Sequence, residues 1–110
     1  PIIELLKKKN IDSEVVEPHF DKLSDKTKTA DILISAVGIP NLIHDSMVKK
    51  NYIVIDVGTT KLNNKICGDV DIKSIEDYYC FVTPVPGGVG PMTVAMLIAN
   101  TVKAGRMQIW

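Results

Sequence analysis

ADILISAVG (residues 30–38) and YIVIDVG (residues 52–58) are the two stretches that decide the fold. Each is an almost continuous apolar run that ends in a glycine, with little alternation of apolar and polar residues. An uninterrupted apolar strand is typical of a parallel sheet, because such a sheet has both of its faces covered. The two runs therefore predict neighbouring buried strands of an α/β fold.

The rest of the chain supplies further strands and the helices between them. Apolar runs predict a strand at 13–17, closed by Pro18, and a third buried strand at 79–85. Asn63 and Asn64 predict the turn of a small hairpin. Helical segments are predicted at 2–9, 44–51, 71–78 and 91–104, with a polar helical turn or loop at 21–29 and a C-cap at Gly105. Strands alternating with helices indicate a Rossmann-like parallel sheet with helices on both faces.

Composition restricts the class of protein. A length of 110 residues suits one domain, and the net charge is zero. Lysines far outnumber the lone Arg106, so there is no arginine cluster of the kind that binds nucleic acid. No apolar run approaches the roughly 20 residues that a membrane helix needs. Cys67 and Cys80 are expected to be free thiols, which favours the cytoplasm, with the mitochondrial matrix as the alternative.

The strand ends and one loop are the candidate binding features. Ligands of open α/β sheets bind at the carboxyl ends of the strands, where Gly38 and Gly58 stand. These glycines indicate either a ledge for a nucleotide or two tight turns. TPVPGGVGPMT (residues 83–93) holds three prolines and three glycines, which stiffen the backbone and leave its amides bare. Pro91 is predicted to open the last helix, with free amides at Met92 and Thr93 for a flat, polar-edged ligand.

Several polar residues have a structural interpretation. Asp56 is predicted to be a buried carboxylate that bonds to backbone, and Asp69 and Asp71 are predicted to cap a helix. The two histidines and two cysteines lack metal-ligand spacing, so no metal site is expected. Val85–Pro86 is predicted to be a cis peptide.

These motifs, in this order, resemble the C-terminal part of the bifunctional methylenetetrahydrofolate dehydrogenase/cyclohydrolase family. The resemblance runs from ADILISAVGIP through MVKKNYIVIDVG, GDVD and TPVPGGVGPMT to AMLIANTVKA. It implies an NAD(P)-binding domain at 1–104, followed by a tail at 105–110. It also implies that Pro1 is the last residue of a phosphate-binding motif. We therefore expect the chain to be a piece of a longer polypeptide, whose first strand, phosphate loop and catalytic Tyr and Lys lie upstream.

The resemblance also implies roles for particular residues, none of them catalytic. The positions that match cofactor-binding ones are His19, Ala36, Val37, Gly38, Thr59 and Thr93. The positions that match the folate site are Pro86, Gly87, Gly88, Val89 and Gly90. One departure is Phe20, which stands where the family usually has a serine. Because Phe cannot donate a hydrogen bond to a ribose phosphate, the implied cofactor is NADP with NAD as an alternative.

The implied reaction is oxidation of 5,10-methylenetetrahydrofolate followed by hydrolysis of the methenyl product to 10-formyltetrahydrofolate. The implied partners are the folate substrate, a catalytic N-terminal domain and a second copy in a homodimer, with no nucleic acid or membrane. A degenerate, inactive nucleotide-binding or interaction domain is the alternative. An amino- or keto-acid dehydrogenase would share the two strands but not the proline–glycine loop.

Overall fold

The computed structural model describes residues 1–78 and 80–108. In chain order the elements are α1 (Ile2–Lys8), α2 (Leu23–Thr29), β1 (Ile32–Ser35), a 3₁₀ turn (Asp45–Met47), β2 (Ile53–Asp56), β3 (Thr60–Leu62), β4 (Lys65–Cys67), α3 (Ile72–Ile75), a second 3₁₀ turn (Glu76–Tyr78), β5 (Phe81–Val82) and α4 (Val89–Gln108).

The central sheet is parallel, as the apolar runs predict. Its strand order is β1-β2-β5, and Ile53 is paired with Ile32 on one side and with Phe81 on the other. All three strands therefore point their carboxyl ends toward the same edge. The α/β, Rossmann-like class is confirmed.

The core lies against β2 and is small. Its buried apolar residues come from β2, from the segment after β1 and from α3 with the loop before it: Ile43, Val48, Tyr52, Val54, Val70 and Ile75. Tyr52 is fully buried, and its hydroxyl donates a hydrogen bond to the carbonyl of Thr27 at the end of α2. That bond ties the polar α2, whose only buried residue is Thr27, to the sheet.

A two-stranded antiparallel hairpin, β3 with β4, stands beside the sheet. Its turn residues Asn63 and Asn64 have φ of 48° and 60°. A two-residue turn with positive φ at both positions is type I′, which matches the twist of the flanking strands. The predicted hairpin is confirmed.

Two predicted elements are wrong. Residues 13–17 form no strand, because within 1–78 and 80–108 they pair with no other strand. The predicted helix at 44–51 is reduced to the 3₁₀ turn, because Val48 is extended and Asn51 takes a positive φ of 57°. Both residues leave the helical region of the backbone.

The third strand is shorter and less buried than expected. Only Phe81 and Val82 form ladder bonds, and Tyr79 lies outside the described residues. Pro84 and Pro86 follow closely and have no N–H to extend the ladder. Within the described residues β5 is an edge strand, so Phe81 is 70% exposed.

The last helix is longer than predicted and begins earlier. α4 starts at Val89, so Pro91 is its third residue instead of its first. It runs through Gly105, which does not adopt the positive φ of a C-cap glycine, so the predicted cap is wrong. No residue of α4 is buried, so its apolar pattern has no core to face within the described chain. Trp110 lies outside the described residues.

Candidate functional site

The carboxyl ends of the three parallel strands meet in one place. The amide of Val57 donates to the carbonyl of Ser35 at 2.8 Å, which joins the ends of β1 and β2. The amide of Asp56 donates to the hydroxyl of Thr83 at 2.8 Å, which joins the ends of β2 and β5. These bonds bring the turn after β1, the turn after β2 and the proline–glycine loop to a common edge, where α/β sheets bind ligands.

A cleft of about 250 Å³ opens between the turn after β2 and the proline–glycine loop. Its walls are Asp56, Val57, Thr59, Ile66 and the continuous stretch from Pro84 to Pro91. All five predicted folate-site residues, 86–90, are therefore brought together with one predicted cofactor residue, Thr59. Sequence reasoning did not include Ile66, which arrives from the hairpin.

A larger cavity of about 470 Å³ lies between α3 and β5. It is lined mainly by apolar side chains, among them Val70, Ile72, Ile75 and Val82. None of the loop glycines borders it. We assign the candidate site to the smaller cleft, because it is lined by residues 84–91 of the proline–glycine loop and by the start of the long helix α4.

The three glycines of the loop have three different reasons to be glycine. Gly87 has a φ of +102°, which side chains rarely tolerate, and Val85–Pro86 is cis as predicted. A Cβ on Gly88 would lie 2.3 Å from the carbonyl oxygen of Pro84, so the fold itself requires a glycine there. A Cβ on Gly90 would meet nothing within 4 Å, and its φ is not positive. Apart from its neighbour Pro91, Gly90 therefore leaves open space at the cleft.

The start of α4 supplies the amides of the site. Because the helix begins at Val89, its unpaired N–H groups belong to Val89 and Gly90. The prediction that Met92 and Thr93 hold the free amides is wrong, since both lie beyond the first three residues of the helix. The hydroxyl of Thr93 donates to the carbonyl of Val89 at 3.0 Å. Thr93 does not line the cleft, although it sits one turn above it.

The turn after β1 forms a separate exposed ledge. Ala36, Val37 and Gly38 are all exposed, and Gly38 has a φ of +72°. The hydroxyl of Thr60 donates to the carbonyl of Gly38 at 3.1 Å, which holds this ledge beside the turn after β2. His19 is exposed in the segment before α2 and does not line the cleft.

Two buried carboxylates organise the backbone behind these turns. Asp56 accepts from the amides of Gly58 and Asp69 at 3.0 Å and from that of Val70 at 3.1 Å, which confirms its predicted backbone-bonding role. Asp71 caps α3 as predicted, accepting from the amide of Ser74. Asp69 does not cap a helix. Its Oδ2 accepts from the Ser35 hydroxyl and the Val37 amide, both at 2.8 Å.

Two glycines face these carboxylates and could have signalled them. A Cβ on Gly58 would lie 2.0 Å from Asp69 Oδ1, and a Cβ on Gly68 would lie 2.0 Å from Asp56 Oδ2. Gly58 follows Asp56 in IDVG, and Gly68 precedes Asp69 in GDVD. In space, however, Gly58 faces Asp69 and Gly68 faces Asp56. The two glycine–aspartate motifs can be seen in the sequence, whereas the pairing of each glycine with the distant aspartate is set by the fold.

Burial changes the acidity of two groups away from the cleft. Burial, with the nearby Asp31 and Cys80 as smaller causes, raises the pKa of the Tyr52 hydroxyl. Burial also raises the pKa of the Cys80 thiol, against the effect of a hydrogen bond from the backbone of Tyr52. Both thiols are free. Within residues 1–78 and 80–108, no three His, Cys, Asp or Glu side chains gather as metal ligands, and no helix has the length and apolarity to cross a membrane.

Comparison with known proteins gives a consistent result. Residues 1–109 match the family described as tetrahydrofolate dehydrogenase/cyclohydrolase, NAD(P)-binding domain. The chain is 57% identical over 95 residues to the bifunctional protein FolD of Hydrogenobaculum sp. (strain Y04AAS1), which covers 86% of this chain and 34% of that protein.

Solved structures agree with the sequence match. The bifunctional methylenetetrahydrofolate dehydrogenase/cyclohydrolase FolD of Campylobacter jejuni superposes with a TM-score of 0.87 at 43% identity, over 94% of this chain and 37% of that one. The Trypanosoma brucei N5,N10-methylenetetrahydrofolate dehydrogenase-cyclohydrolase, solved with NADP cofactor and an inhibitor, gives 0.81 at 34% identity, over 96% and 38%. The chain therefore spans about a third of the length of the relatives it matches.

Proposed function

The chain belongs to the tetrahydrofolate dehydrogenase/cyclohydrolase family as its NAD(P)-binding domain, and we propose that it serves a bifunctional enzyme of one-carbon metabolism. That enzyme oxidises 5,10-methylenetetrahydrofolate to the 5,10-methenyl form with NADP⁺. It then adds water to the methenyl group, giving 10-formyltetrahydrofolate and a proton. The observation that carries the proposal is the cleft between Thr59 and the loop 84–91, where bare backbone meets the start of α4.

The ledge and the turn after β2 fit a dinucleotide. Ala36 to Gly38 are exposed, and the space beside Gly38 is open except for the Thr60 hydroxyl 3.9 Å from a would-be Cβ. A flat ring can therefore approach the backbone closely at this point. We assign cofactor contacts to Ala36, Val37, Gly38 and Thr59, with His19 and Thr93 at its two ends. When bound, the cofactor supplies the hydride acceptor, and the domain's task is to hold its ring against the folate.

The proline–glycine loop fits the folate. Pro86, Gly87, Gly88, Val89 and Gly90 form one wall of the cleft, and Val57 and Ile66 provide apolar surface in the other. The amides at the start of α4 point a partial positive charge at this wall, which suits the polar edge of a pterin ring. Orientation is the main contribution of this chain, because rigid placement of two reactants accounts for much of a bimolecular barrier.

The remaining parts of the enzyme are proposed to lie on other segments. We assign the catalytic Tyr and Lys and the phosphate loop to an N-terminal domain of the parent protein, and we expect the parent to be a homodimer. Two free cysteines suit a reducing compartment, so we place the enzyme in the cytoplasm.

The proposal is tested by assaying the full-length parent protein. We expect methylenetetrahydrofolate-dependent reduction of NADP⁺ or NAD⁺, and formation of the 10-formyl product. The isolated 110-residue chain is the negative control. A Phe20→Ser variant should raise the preference for NADP⁺ over NAD⁺, because it restores a hydroxyl near the ribose phosphate. A folded parent that reduces neither cofactor would favour the degenerate binding domain instead.

A further inference from the structure

The conformation of the cofactor ledge depends on a residue far away in the sequence. Asp69 lies in the loop between β4 and α3, yet its Oδ2 accepts hydrogen bonds from both the last residue of β1 and the ledge itself. The donors are the Ser35 hydroxyl and the Val37 amide, each at 2.8 Å. One carboxylate oxygen thus fixes where β1 ends and how the chain turns into the ledge.

The position of Asp69 is itself fixed by the end of β2. The Asp56 carboxylate accepts from the amides of Asp69 and Val70, so the loop that carries Asp69 cannot shift without breaking both bonds. The same carboxylate accepts from the amide of Gly58. A continuous chain of hydrogen bonds therefore runs from the turn after β2, through Asp56 and Asp69, to the ledge after β1.

Asp69 also supports the second cofactor-facing turn by direct contact. Its Oδ1 lies 2.0 Å from where a Cβ of Gly58 would stand, so the carboxylate packs against the bare backbone of that turn. Asp69 is fully buried, and Oδ1 has no hydrogen-bond partner within the described residues. Burying a carboxylate with one oxygen unpaired costs free energy, so packing alone does not explain an aspartate at this position. It hydrogen-bonds to the ledge and packs against Gly58, and none of its side-chain hydrogen bonds within the described chain reaches residues 86–90.

We propose that Asp69 is a positioning residue for the cofactor: it sets the geometry of both the Ala36–Gly38 ledge and the Gly58–Thr59 turn. The proposal rests on the proposed function, since that assigns these turns to NADP. It makes a selective claim. Loss of the carboxylate should weaken cofactor binding and lower kcat, because the cofactor ring is held less firmly against the folate. The folate KM should stay nearly unchanged, because most of the folate wall, residues 86–90, belongs to a different loop.

The test uses the full-length parent protein and four variants. Asp69→Ala removes the acceptor for both donors. Asp69→Asn keeps one oxygen that can accept from both donors, while it removes the charge and replaces the other oxygen with an NH₂ group. Ser35→Ala removes one of the two bonds and leaves the carboxylate in place. Asp71→Ala is the matched control. It removes another carboxylate of the same loop, and that carboxylate caps α3 and reaches neither turn. NADP⁺ affinity is measured by equilibrium titration, and kcat and both KM values by turnover.

We expect Asp69→Ala to weaken NADP⁺ binding about tenfold or more, Ser35→Ala about threefold, and Asp69→Asn less than Asp69→Ala. The folate KM should change by less than about twofold in each variant, kcat should fall in the Asp69 variants, and Asp71→Ala should match wild type in NADP⁺ affinity and in kcat. If Asp69→Ala does not fold, Ser35→Ala and Asp69→Asn carry the comparison.

Three results would overturn the proposal. NADP⁺ affinity could be unchanged in Ser35→Ala and the folded Asp69 variants. The folate KM could rise as much as the cofactor KM, which would indicate general loosening. Wild type could fail to bind NADP⁺ at all. A parent that binds NADP⁺ but turns over no folate defeats the proposed function alone, because the titration still ranks the variants.

Discussion

Gly88 and Gly90 stand two residues apart in the same loop, and the fold uses them differently. A side chain at Gly88 would run into the Pro84 carbonyl, so that glycine is a condition of folding. A side chain at Gly90 would meet only open space at the rim of the cleft. Gly90 precedes Pro91 inside the helix, where the proline ring disfavours a helical residue that carries a Cβ. The open space that the glycine leaves at the rim is also available to the proposed ligand.

Gly90→Ala separates these two reasons by experiment. In the parent enzyme we expect little change in Tm, because the better helix propensity of Ala, up to about 1 kcal/mol, is opposed by crowding between its Cβ and the ring of Pro91. We expect the KM for methylenetetrahydrofolate to rise about tenfold, since the methyl group occupies ligand space. The measurements are thermal unfolding and steady-state kinetics.

Gly105→Ala is the control for helix propensity. Gly105 also lies in α4, and a Cβ there would meet nothing within 4 Å. This variant should raise the Tm with wild-type kinetics, because no proline follows Gly105. If Gly90→Ala has the same kinetics as Gly105→Ala, then Gly90 does not border the ligand.

At the scale of elements, one hydrogen bond joins a helix of low apolar content to the sheet. α2 has Thr27 as its single buried residue, and the Tyr52 hydroxyl next to the start of β2 donates to the carbonyl of that threonine. The pKa of Tyr52 is raised by burial, so the folded state favours the protonated phenol. A phenolate could not donate this bond. The attachment of α2 to the sheet through the Tyr52 hydrogen bond is therefore sensitive to high pH.

The sign of that dependence follows from the direction of the shift. Because the folded pKa lies above the ordinary value of 10.0, the stabilisation is complete below pH 10.0 and is lost as the pH rises through the folded pKa. Tyr52→Phe should lower the free energy of unfolding by about 1–3 kcal/mol at neutral pH, since it leaves the Thr27 carbonyl without its donor. The difference between wild type and variant should shrink above pH 10.0.

Denaturant unfolding of both proteins at a series of pH values measures this difference. Cys80→Ala is measured alongside. Burial also raises the pKa of the Cys80 thiol, so ionisation of that thiol at high pH lowers the free energy of unfolding in the same direction. A difference that stays constant to high pH would show that the Tyr52 phenol is not linked to stability.

Elements that depend on their own residues were predictable from the sequence, and elements that depend on partners were not. The apolar runs of β1 and β2 and the paired asparagines of the hairpin carry local signals strong enough to act alone. Residues 13–17 also carry β-branched residues, Val15 and Val16, but no ladder forms beside them in the described chain. Gly105 looked like a helix end, yet α4 passes through it. The folate wall was predicted from one loop, whereas the Asp69 contacts join residues 32 and 34 positions apart.

At the scale of the whole molecule, the described chain is more extended than its length requires. Its radius of gyration is 16.1 Å, against about 13 Å for a compact domain of this size. α4 contributes to this, because none of its residues is buried. It exposes a long series of large apolar side chains: Met92, Val94, Met96, Leu97, Ile98, Val102 and Met107. Exposed apolar side chains in this number along one helix favour association in water.

We therefore expect the isolated 110-residue chain to self-associate as its concentration rises. Sedimentation velocity over a concentration series measures this directly. A double variant, Leu97→Gln with Val102→Gln, should shift the chain toward monomer, because it places amides on the exposed face of the helix. Ile66→Gln, at an equally exposed apolar position in the hairpin, is the control. A chain that stays monomeric at every concentration would contradict the expectation.

The crossed fit of Asp56 against Gly68 and of Asp69 against Gly58 also has an evolutionary consequence. Within each pair, enlarging the glycine demands that the facing carboxylate move, because the gap is already closed. Shortening the carboxylate first abandons the donors that it holds. A substitution of one member of a pair alone therefore gives a less stable protein, so the effects of substitutions at these four sites depend on one another. Descendants of this domain should keep each pair intact or replace both members together.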